Sequence, residues 1–106
     1  ADMIRIRKSK ETPKETESLR LACLTNTSIT QDFGLTLPNK TNLRPICYST
    51  FEDCTRYYEL NKSLIDPNEF NVEIKSLNRT RDEGYWECWY TQGGKMFRAG
   101  LNLTVY

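Results

Sequence analysis

A chain of 106 residues has room for one hydrophobic core of ordinary size and not for two. Fifteen Lys and Arg against fourteen Asp and Glu leave a formal charge of +1. That balance offers no one-signed field for nucleic acid or an anionic membrane, so neither is an expected partner. An apolar fraction of 38% implies a small core in need of reinforcement, which four cysteines can supply.

In chain order, Met3 to Lys8 alternates Ile4 and Ile6 on one face with Arg5 and Arg7 on the other, the period of a half-buried strand. Pro13 breaks the polar passage from Ser9 to Ser18 and marks a kinked crossing between sheets. Leu19, Leu21 and Cys23 share the inward face of a second strand. Residues 24–44 are rich in Thr and Asn and too long for a simple turn; residues 29–37 are expected to hold a short strand or a turn. Leu43 to Ser49 is expected to be the next long strand, followed by a bend at residues 50–53 and an aromatic return strand over residues 56–60. Asp66-Pro67-Asn68 is turn chemistry. Phe70, Val72 and Ile74 then alternate with Asn71, Glu73 and Lys75, and a charged corner covers residues 78–83. Tyr85 to Thr91 and Met96 to Tyr106 form a hairpin around Gly93-Gly94. Strand after strand at short spacing, with no helical window, indicates an all-β, two-sheet sandwich spanning residues 1–106 as a single domain.

Five of the eight asparagines begin an Asn-x-Ser/Thr sequon: Asn26, Asn39, Asn61, Asn78 and Asn102. About 1.4 would arise by chance, so selection for N-glycosylation in the secretory pathway is inferred. That compartment is oxidising and permits disulfides. No signal peptide or long apolar run is present, and the chain reads as an excised, mature ectodomain that does not itself insert into a membrane.

Asp82-Glu83-Gly84-Tyr85-Trp86-Glu87-Cys88 places Asp, Gly, an aromatic residue and Cys two apart. It resembles the Asp-x-Gly-x-Tyr-x-Cys signature that opens strand F of immunoglobulin domains, with Trp86 where the tyrosine usually stands. Four cysteines allow three connectivities, which the spacing leaves open. The resemblance implies an intersheet Cys23–Cys88 disulfide, worth roughly 4 kcal/mol on the chain-entropy model, and a smaller loop closed by Cys47 and Cys54, worth about 2.5 kcal/mol. A late strand C cysteine paired to one in C′ is similar to the polymeric immunoglobulin receptor and the myeloid paired receptors. The chain departs from them in three ways. No tryptophan lies near strand C, so Trp86 or Ile46 is expected to fill the volume beside the disulfide. The segment between Cys23 and Cys47 is longer, and Cys54 to Phe70 is too short for full C″ and D strands. The name implied is a divergent V-type or intermediate domain.

What the resemblance implies about function is recognition of another protein by a glycosylated extracellular domain, as an immune-type receptor or secreted modulator, without catalysis. Homophilic adhesion, or a viral or parasite decoy for a host surface protein, are the alternative expectations. The absence of His and of any nucleophile motif leaves the neighbouring carboxylates Glu15, Glu17, Asp82 and Glu83 without partners for acid–base chemistry, and no cofactor or metal is expected. By strand parity Trp86, Cys88 and Tyr90 face inward and Tyr85, Glu87 and Trp89 outward. The expected binding face is Tyr85, Trp89, Met96 and Arg98, with Tyr57 or Tyr58 from a neighbouring strand. A glycan at Asn102 would shift it toward the hairpin tip, Gln92, Lys95 and Phe97, and toward Phe33. Asp82 is expected to cap or salt-bridge the corner before strand F, with Arg79, Arg81 or Arg56 as its partner.

Overall fold

In a computed structural model that describes residues 4–28, 32–44 and 56–106, two antiparallel four-stranded sheets pack face to face. The strands are β1 (Ile4–Lys8), β2 (Leu19–Thr25), β3 (Phe33–Thr36), β4 (Asn42–Leu43), β5 (Tyr58–Lys62), β6 (Glu69–Ile74), β7 (Gly84–Gln92) and β8 (Lys95–Leu103), with a one-turn helix α1 (Arg79–Asp82) before β7. The back sheet has the order β1-β2-β6-β5 and the front sheet β4-β3-β7-β8. The arrangement is compatible with an immunoglobulin-like sandwich. Among the described residues no helix is long and apolar enough to cross a membrane.

Parity builds the core. Leu19, Leu21 and Cys23 from β2 meet Phe70, Val72 and Ile74 from β6 at registered positions, and all six are buried. Trp86, Cys88 and Tyr90 project from the other sheet into the same cluster. Cys23 and Cys88 come within 2.7 Å of each other between the sheets. Burial beside Cys88 pushes the Cys23 thiol well above its ordinary value.

The expected strand C is displaced. The strand that pairs with β7 is β3, ten residues earlier than Leu43 to Ser49, with Leu35 opposite Cys88 and Phe33 opposite Tyr90. Phe33, Leu35 and Leu37 already alternate inward, and Leu35 takes the position facing the cysteine pair. Leu43 ends the short edge strand β4, which turns back from β3 through Lys40 at φ 72°. The turn is closed by hydrogen bonds from Leu37 N to Thr41 O and from Lys40 N to Leu37 O. Cys47, Cys54 and Ile46 lie outside the described residues.

The aromatic return strand also changes sheets. β5 pairs with β6, Tyr58 opposite Ile74 and Lys62 opposite Phe70, so it belongs to the back sheet and not beside the binding face. The following hairpin turn is tightly built. Ser63 Oγ accepts from the backbone N–H of Ile65 and Asp66, and Asp66 Oδ1 accepts from Asn68 N at 2.9 Å. Leu64 and Ile65 sit on this turn at 102% and 95% exposure, so they contribute nothing to the core. Replacing both with serine should change the urea-unfolding free energy by less than about 0.5 kcal/mol.

Candidate functional site

Two places on the molecule draw together the residues singled out by sequence. One is the corner before β7. Asp82 is fully buried, and its carboxylate accepts four hydrogen bonds: from Tyr58 Oη at 2.5 Å, Arg81 Nε at 2.8 Å, Arg81 Nη2 at 2.7 Å and Asn78 N at 2.9 Å. Of the three basic partners expected for Asp82, Arg81 is the one that pairs; Tyr58, expected on the binding face, reaches across from β5 and is 1% exposed. The Arg81 guanidinium also stacks over Tyr57, 4.0 Å from the ring centroid, and donates to Ser76 O at 2.7 Å. Its pKa is raised chiefly by the hydrogen bonds to Asp82. Burial, followed by the Asp82 hydrogen bond, pushes the Tyr58 phenol far above its ordinary value.

Trp86 completes the corner by donating from Nε1 to the Asp82 carbonyl, four residues upstream, at 2.8 Å. A tyrosine at this position in immunoglobulin domains bonds back to upstream backbone in the same way. Trp86 packs edge-on against Tyr58, with centroids 5.5 Å apart. It thus closes the corner while sharing the buried cluster of Cys23 and Cys88 with Leu35, which stands opposite Cys88; Ile46, the other residue expected beside the cysteines, lies outside the described residues.

The second place is the outer face of the front sheet. Tyr85, Met96 and Arg98 are exposed there, as parity requires. Trp89 is a correction: it points outward yet is only 4% exposed, and it lies outside the main core cluster. Its ring lies across β3 at Gly34, where an added Cβ would stand 2.8 Å from Trp89 Cζ2 and collide with the Leu43 carbonyl oxygen. The Arg44 guanidinium sits over the ring, 5.3 Å from its centroid. Tyr85 crosses Gly100 of β8 in the same manner, since a Cβ there would collide with the phenol. Both outward aromatics of β7 therefore lie over a glycine on an adjacent strand, which covers backbone that glycine leaves bare. Gly34→Ala should destabilise the fold by about 2 kcal/mol, because one contact is backbone that cannot swing away, and should red-shift tryptophan emission as Trp89 lifts. Gly100→Ala meets only a half-exposed side chain and should cost much less in the same thermal melt.

The remaining expected binding residues divide. Gln92 and Lys95 are exposed at the hairpin tip. Phe97 is half-buried and stacks on Tyr90 at 5.2 Å, so its ring faces the core. Phe33 is 5% exposed and packs against Phe70 at 4.7 Å, which removes it from the face. Tyr57 and Tyr58 belong to the opposite sheet's edge and are removed likewise. Residues not singled out by sequence complete the face. Thr36, Lys40, Asn42 and Arg44 join Glu87, Trp89, Met96 and Arg98 around an open groove of ≈ 350 Å³. The signal that could have found them is the alternation of Phe33, Leu35 and Leu37, which places Gly34 and Thr36 outward.

All five sequon asparagines are exposed. Asn39 and Asn102 stand toward the corner end of the front sheet, Asn39 in the β3–β4 turn and Asn102 opposite Tyr85. Among the described residues no sequon lies on the outer face of β7 or β8 near the hairpin tip, although Thr27 of the Asn26 sequon donates from Oγ1 to Gln92 Oε1 at 2.8 Å beside the tip. Among the described residues no group of three or more His, Cys, Asp or Glu converges as a metal ion would require. No family model and no curated protein matches the chain.

Proposed function

We propose that the chain is a divergent immunoglobulin-superfamily domain, glycosylated and extracellular, that binds another protein through the tip-proximal outer face of its front sheet and performs no catalysis. The observation that carries the reading is the pairing of architecture with surface. The corner built by Asp82 and Trp86, the Cys23–Cys88 juxtaposition and the sheet order support the superfamily assignment. Exposed sequons support passage through the secretory pathway; Met96 and Arg98 lie in the tip-proximal part of the front face, and the groove over Trp89 runs from them to Lys40, within the Asn39 sequon. In this reading the cysteine pair is oxidised.

Trp89→Ala is a poor test, because truncating a 4% exposed tryptophan should cost about 3 kcal/mol and blur binding with folding. Met96→Asp is better, since Met96 is 48% exposed. The domain, expressed through a secretory host, is screened against surface and secreted proteins beside Met96→Asp and an Ala22→Asp control on the back sheet. Binding lost with Met96→Asp and kept with Ala22→Asp is expected; the reverse pattern would discard the front-face assignment. Self-association seen in sedimentation and abolished by Met96→Asp would make the partner a second copy of the chain.

A further inference from the structure

We propose that the groove over Trp89 receives an extended acidic segment of the partner polypeptide. This rests on the front-face reading and names the chemistry of what binds there. Lys40, Arg44 and Arg98 line the groove, and among the described residues Glu87 is the only carboxylate lining it. Among the described residues four ion pairs form outside the groove, Lys10–Glu17, Arg20–Glu73, Arg79–Glu15 and Arg81–Asp82. Among the described residues no carboxylate lies within ion-pair distance of the three groove cations.

Two of the cations are held in place without being neutralised. Arg44 rests on the Trp89 ring, which fixes the plane of its guanidinium while leaving its N–H groups to a ligand. Arg98 gives Nε to the Met96 thioether at 3.1 Å, a weak acceptor that leaves its terminal nitrogens free to fork onto a carboxylate. Side chains already oriented lose less freedom on binding.

The layout favours a peptide over a compact anion. Arg44 follows β4 at one margin and Arg98 lies on β8 at the other, so their backbones stand three strand spacings apart, about 14 Å. Glu87, on β7 between them, repels a single anion placed centrally. An extended chain rises about 3.3 Å per residue, so carboxylates four residues apart span about 13 Å and reach both margins while clearing Glu87. The near-zero net charge of the whole chain gives no long-range pull on a polyanion, so the attraction is confined to the groove.

The test uses the intact domain and a synthetic nonapeptide with two glutamates four residues apart in a Gly/Ser/Thr background, followed by NMR and calorimetry at 20 and 150 mM salt. Shifts at the Trp89 indole and Arg98 side chain are expected, with binding weakened several-fold by the higher salt. Arg44→Glu/Arg98→Glu should weaken it at least tenfold, as should Lys40→Glu/Arg98→Glu, which leaves the cover of Trp89 in place. Arg5→Glu/Arg7→Glu, on the exposed face of β1, should not change it. No shifts at Trp89 and Arg98, or equal loss in the β1 variant, would overturn the proposal. Tighter binding of a sialylated trisaccharide or a heparin tetrasaccharide at the same residues would overturn it in favour of an acidic glycan. If the screened partner is lost with Met96→Asp but unaffected by the charge reversals or by salt, the front face stands and the acidic segment falls. If the partner ignores both sets of variants, the front-face reading itself falls.

Discussion

Asp82→Ala should lower the unfolding free energy by about 3 to 4 kcal/mol, read as a fall in melting temperature of roughly 15 to 25 °C for a domain of this size. The carboxylate is wholly buried and holds three donor groups from three places: Tyr58 of β5, Arg81 beside it and the backbone N–H of Asn78. Removing it leaves the Tyr58 phenol with no acceptor and the Arg81 guanidinium with only Ser76 O and no counter-charge, a desolvation cost larger than the worth of any one bond. Asp82→Asn keeps the shape but turns an N–H₂ toward one of the donors, and should cost about 2 kcal/mol. Glu59→Ala, an exposed carboxylate on β5, is the matched control and should stay within about 0.5 kcal/mol of wild type.

The same cluster makes the domain sensitive to alkali. Tyr58 is held neutral by burial and by its bond to the Asp82 carboxylate, so its folded pKa lies above the unfolded value of about 10. A group of this sign contributes its full stabilisation below pH 10 and loses it as pH rises toward the folded value. Melting temperature should therefore fall more steeply above pH 10 in wild type than in Tyr58→Phe. That variant begins about 1.5 kcal/mol lower at neutral pH because the charge-assisted bond is gone. Parallel alkaline slopes would show that Tyr58 ionises as easily folded as unfolded.

Most of the sandwich was legible because period two is a local property. Ile4 and Ile6, Leu19 to Cys23, Phe70 to Ile74 and Trp86 to Tyr90 each declare an inward face, and the structure gives those residues β1, β2, β6 and β7. What failed depends on where the chain changes sheets. Nothing in the aromatic run around Tyr58 says that the backbone has crossed from the front sheet to the back before pairing with Ile74. Phe33, Leu35 and Leu37 carried the strand signal, but it is short and interrupted by Gly34 and Thr36 within a stretch that shows no sustained periodicity. Trp89 shows a different gap. Its outward direction followed from parity, yet its burial depends on Gly34 and Arg44, which are distant in sequence and meet it only across strands. Direction is local, whereas exposure is decided by neighbours.

The cysteine pair carries the other large effect. Cys23 of β2 and Cys88 of β7 are fully buried and approach within 2.7 Å between the two sheets. If the pair is oxidised, as proposed, the closed loop of about 66 residues should make the domain about 4 kcal/mol more stable than its reduced form. Urea unfolding with and without a phosphine reductant measures the difference. Alkylation then decides the redox state independently of stability. With the Cys23 thiol buried and its pKa raised, the folded protein resists iodoacetamide at this pair in either state. In 6 M guanidinium without reductant, peptides bearing Cys23 and Cys88 should stay unlabelled and linked, about 2 Da lighter than the reduced pair. Labelling of both under those conditions would mean that two thiols occupy the core, and the stabilisation assigned to the loop would have to come from packing of Leu21, Leu35 and Trp86 around them.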